Sequence, residues 1–84
     1  MVHREEIERY SGTLVELASE LGDLRYDALA MFLRALSEKL EQDAAADLDR
    51  GRIKLSSALQ ESAASVKSAA CEIERAWSIC VRYM

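Results

Sequence analysis

Proline is absent from this chain of 84 residues, glycine occurs three times, cysteine twice and histidine once. With no proline, no long segment is denied an interior helical hydrogen bond. Two cysteines exclude a disulfide-stapled scaffold. They stand at Cys71 and Cys80, a spacing that turns the second to the far side of a helix from the first, so they cannot pair within one helix. A lone His3 leaves no Cys/His set with zinc spacing and no partner for a catalytic triad. No apolar run approaches the roughly 18 residues that a membrane span needs. The start, Met1-Val2-His3-Arg4-Glu5-Glu6, has no apolar core of a signal peptide, and a cytoplasmic protein is expected. A surplus of positive charge is also lacking. The formal net charge of -4 argues against a nucleic-acid binder or a ligand of acidic membranes, both of which rely on a positive field.

What is present suits a helical domain. Half of the residues are apolar and 31% are charged, a globular rather than a disordered balance. A single domain of this size buries only about 60 to 65% of its unfolded surface, so self-association would add stability. Charge is unevenly spread. Residues 1–51 hold 6 Lys and Arg against 12 Asp and Glu, and residues 52–84 hold 5 against 3, so the last third could sit favourably against the rest or against a second subunit.

Apolar residues at Ile7, Tyr10, Leu14, Leu17, Leu21 and Leu24 draw one stripe at helical spacing and predict a first helix over about residues 4–21. Thr13 with Glu16 has the pattern of a capping box, and Gly12 is costly inside a helix, so a break at residues 11–13 competes. The stripe keeps its phase across Gly12, and a continuous helix is expected. Gly22-Asp23 offers a C-terminal glycine followed by an N-cap oxygen. A second helix, marked by Leu29, Phe32, Leu33, Leu36, Leu40, Ala44 and Leu48, is predicted over about 24–50 and stops at Gly51. A third fills about 53–83, with Leu59, Val66, Ile73 and Cys80 at intervals of seven and Leu55, Ala63, Ala70, Trp77 and Met84 beside them.

Folding at Gly51 makes the last two helices an antiparallel hairpin in which opposed residue numbers sum to roughly 102. Phe32, Leu33 and Leu36 then face Ala69, Ala70 and Val66, Leu29 faces Ile73, and Leu48 faces Leu55, bulky side chains against small ones. The expected fold is all-α, a three-helix bundle whose shorter first helix packs on the lower part of the hairpin. That helix, roughly 28 Å long against roughly 40 Å for the second, reaches back only to about residue 43 and leaves the tip around Gly51 projecting.

Three groups of residues are candidate sites. Trp77, Ile79, Val81, Tyr83 and Met84, with Leu24, Arg25 and Tyr26 nearby, are apolar on more than one face. They either close the bottom of the core or form a dimer or partner interface. Arg50, Arg52 and Lys54 cluster at the tip, where they complement a helix C-terminus or receive a phosphate. Glu38, Glu41 and Asp43 invite comparison with the magnesium-binding helices of nucleotide hydrolases, but Leu36 and Leu40 turn much of this acidic face to solvent. Asp47, Asp49 and Gly51 echo the start of a calcium loop whose closing position would be Ala58, and calcium is rejected there. Cys80 reads as a small buried hydrophobe. Cys71 reads as an exposed thiol with only Lys67 and Arg75 for cations nearby.

The strings Leu24-Arg25-Tyr26-Asp27-Ala28-Leu29, Asp43 to Lys54, and Ala76-Trp77-Ser78-Ile79-Cys80 resemble those of short uncharacterised all-helical proteins of cyanobacterial type. The resemblance covers most of the chain. It implies a free-standing bacterial gene product and brings no catalytic residue. The residues themselves favour a non-enzymatic interaction or structural module without metal or cofactor, partnered by itself as a homodimer or by another protein. A small metal-dependent nucleotide hydrolase and a weak nucleic-acid or phosphate contact at the basic tip are the alternatives.

Overall fold

The turn at Gly51 organises the molecule. In the computed structural model, which describes residues 3–83, Gly51 has φ 77°, the left-handed conformation that glycine adopts without a Cβ penalty. Its N–H donates to the Leu48 carbonyl at 2.9 Å, and the Arg52 N–H donates to the Asp47 carbonyl at 2.8 Å. This double closure ends one helix and points the chain back along it.

The helices are α1 (Leu14–Gly22), α2 (Tyr26–Asp49) and α3 (Ile53–Cys80), and a 3₁₀ turn at Val81–Tyr83 closes the described chain. The fold is all-α, with α2 and α3 packed extensively as an antiparallel pair. Its register is read from two buried hydroxyls. Ser37 Oγ donates to the Ala63 carbonyl at 2.9 Å and Ser56 Oγ to the Ala44 carbonyl at 2.7 Å, and each pair of numbers sums to 100, close to the expected 102. The same register sets Ala30 level with Ala70. All six residues are buried, and they recur at intervals of seven on both helices.

This seam corrects the expected core. Leucines and a phenylalanine were to nest among alanines, whereas the buried hydrophobic residues among those described are Ala30, Ala44, Ala63 and Ala70. Phe32 is 40% exposed and Leu36 38%. The cause is steric. Small residues at every seventh position let the two backbones approach closely, and larger side chains one row away splay to either side of the contact.

The first helix also differs from expectation. Thr13 Oγ1 accepts the Glu16 N–H at 3.1 Å, and Glu16 accepts the Thr13 N–H at 3.2 Å, so the capping box is formed and the helix starts at Leu14 rather than near residue 4. Gly12 allows this entry because the Tyr10 ring lies where a Cβ would sit, 2.7 Å from it, and the Tyr10 hydroxyl reaches Glu20. Asp23 receives the end of α1 but does not cap α2, whose N-cap is Arg25; Asp27 instead accepts the Ala28 N–H at 2.9 Å. The α3 helix ends three residues before the expected boundary, in the 3₁₀ turn.

None of the residues of α1 is buried, and Leu14 and Val15 are 58% and 80% exposed. Because residues before Leu14 are not helical, they span more length per residue than a helix would, and His3 reaches the hairpin tip to line a groove with Asp43, Arg50 and Leu55. The molecule is elongated, 50 × 29 × 14 Å, with a radius of gyration of 15.2 Å against about 12 Å for a compact domain of this length. It exposes 6792 Å², whereas a compact monomer of its mass exposes about 5,000 Å².

Candidate functional site

The base of the hairpin, opposite Gly51, carries the most developed surface feature. Arg25 precedes α2, and Asp27 in its first turn takes the guanidinium in a two-point ion pair at 2.7 and 2.8 Å. So held, the guanidinium lies 5.4 Å from the centre of the Trp77 ring, within cation–π range. Hydrogen bonding to Asp27 raises the Arg25 pKa, and the bond to Arg25 lowers that of Asp27 despite some desolvation. Leu24, Tyr26 and Cys80 complete a shallow groove around this stack.

The structure thus brings Leu24, Arg25, Tyr26 and Trp77 into one site. Ile79, Val81 and Tyr83 are exposed close by in sequence, at 50%, 43% and 85%. Met84 lies outside the described residues. Asp27, which orients the arginine, was not singled out in the sequence, where it figures only within the string Leu24 to Leu29; an arginine two positions before an aspartate at an N-terminus was the available signal.

At the tip, Asp47 is nearly buried and faces both Arg50, at 3.6 Å, and Arg52, at 3.3 Å. Each guanidinium of the basic cluster therefore has an internal carboxylate beside it, and Lys54 is exposed. The acidic group on α2 is dispersed. Asp43 holds Lys39 at 2.6 Å, Glu41 faces Lys67 of α3 at 3.6 Å, and Glu38 is exposed. Three acids each turned to a different environment do not make a donor set.

Arg34 of α2 and Glu74 of α3 bridge the same side of the hairpin as Glu41 and Lys67, with bonds at 2.6 and 2.9 Å. Hydrogen bonding to Arg34 lowers the Glu74 pKa, and that of Arg34 is raised in turn. The same guanidinium lies 3.5 Å from the exposed Cys71 sulfur, a cation that sequence spacing did not reveal because it comes from the other helix. Cys80 is half-buried. No family model, curated protein or solved structure matches the chain, and no helix among the described residues is long and apolar enough to cross a membrane.

Proposed function

We propose that the chain acts by binding rather than by catalysis, as a protein-interaction or structural module that associates with itself. The observation that carries this reading is the composition of the core. Among the described residues the buried hydrophobics are all alanines, while 6792 Å² of surface is exposed. The excess over a compact monomer, roughly 1,800 Å², is larger than the share of about 800 Å² that each partner gives to a standard interface. Apolar side chains left in water favour association, and the base offers Tyr26 beside the Arg25–Trp77 stack, with Ile79 and Val81 exposed at the same end of α3.

Sedimentation at high micromolar concentration tests the reading, together with iodide quenching of Trp77. A dimer with slowed quenching is expected. A strict monomer at the same concentration would overturn it. Replacing Ile79 and Val81 together by Ser asks which face associates: a weaker dimer with the helical circular dichroism kept assigns the contact to the base, an unchanged dimer to another face.

A further inference from the structure

The two long helices present opposite characters on their two faces. The ion pairs Arg34–Glu74 and Glu41–Lys67 cross on one side of the small-residue seam. Helical periodicity puts Leu33, Leu36 and Leu40 on the other side of α2, and the same count puts Leu59, Val66 and Ile73 on the matching side of α3. One face of the hairpin is a charged lattice and the other a band of large apolar side chains, all half-buried or more exposed.

Resting on the self-association reading above, we infer that a second copy of this chain covers the apolar band, hairpin on hairpin, to form a four-helix bundle with both Gly51 turns at one end. Three observations select this occupant. The area in excess is more than the share of about 800 Å² that one subunit gives to a standard interface. The outer row of the band reads Leu29, Leu36 and Asp43 on α2 and Leu55, Ser62, Ala69 and Ala76 on α3, so away from the tip, setting α2 of each copy over α3 of the other fits bulk to gap. Charge agrees: α2 carries six acids to two bases and α3 three of each, so this pairing sets the acidic helix of each copy on the neutral helix of its partner and keeps the two acidic helices apart. Turns at opposite ends would instead lay α2 on α2, large on large and acid on acid.

The arrangement makes each helix antiparallel to both of its neighbours and places the two Arg25–Trp77 stacks at the same end. It requires the chain around His3, which lines a groove with Leu55 and Leu59, to yield its place at the tip end of the band. That segment is suited to yield, since α1 contributes no buried side chain.

The test uses the full chain with Cys71 and Cys80 replaced by Ser. Two variants, Leu29→Cys and Ala69→Cys, are mixed, oxidised and compared with each alone. A disulfide-linked dimer from the mixture, well above the yield of either variant alone, is expected. In parallel, Leu36→Asp with Val66→Asp should weaken dimerisation at least 100-fold by sedimentation, and because the seam is untouched the helical signal should persist. A dimer that survives the aspartates and gives no 29-to-69 link overturns this face as the interface and leaves self-association standing. A monomeric parent chain overturns both. If the aspartate variant unfolds, the cross-link decides alone.

Discussion

Ser37 and Ala63 meet across the hairpin through a hydroxyl that donates to a carbonyl at 2.9 Å, with both residues sealed from water. The contact inverts the usual ranking of core residues, because here small side chains hold the helices together. Ala63→Leu should cost about 3 kcal/mol by forcing the backbones apart. Ser37→Ala, which removes only the hydroxyl, should cost about 1 kcal/mol. Urea unfolding followed by circular dichroism compares the two, and an Ala63→Leu chain as stable as the parent would contradict the seam.

Thr13→Ala should fray α1 without loosening the hairpin. The capping box is worth about 1 kcal/mol, and α1 has no buried side chain to compensate for its loss. Hydrogen exchange should accelerate at the amides of residues 14–18 while those around Ser37 and Ala63 keep their protection.

Gly51→Ala should destabilise the chain by about 1 kcal/mol, because a Cβ at φ 77° is strained even though open space surrounds it. Asn at the same position should recover part of the loss. Thermal melts of the two variants provide the comparison.

Acid should loosen the charged face of the hairpin first. The Glu74 carboxylate has a pKa lowered from its ordinary 4.5 by hydrogen bonding to Arg34. A lowered folded value means that its stabilising effect is complete above 4.5 and is lost as pH falls through the folded pKa. Both side chains are partly exposed, so the effect is modest and salt-sensitive. Stability measured from pH 6 to pH 3 should fall less steeply in Glu74→Gln than in the parent.

The long hairpin was legible because helical periodicity, a terminal glycine and a fold-back register agree, and register is a strong constraint on two helices of 24 and 28 residues. The centre of the seam was harder to see. Alanine carries a weak burial signal and serine reads as polar, so Ala63 and Ala70 were ranked beside the core and Ser37 and Ser56 were not placed in it. The start of α1 misled for a different reason: Ile7 and Tyr10 continue the helical phase, but the Tyr10 ring occupies the space over Gly12 and the capping box begins a new segment. The base site was partly legible as an apolar cluster, while its electrostatic part depends on Asp27 and on a stack between residues 25 and 77 that no local pattern encodes.

The two serine bridges also imply an order of assembly. Ser56 and Ala44 are 12 residues apart in sequence, and Ser37 and Ala63 are 26 apart. Loop closure is entropically easier for the shorter separation, so the hairpin should zip from the Gly51 turn toward Trp77. Breathing should then run in the reverse direction, which would make the single tryptophan an optical reporter of the last part to close and the first to open.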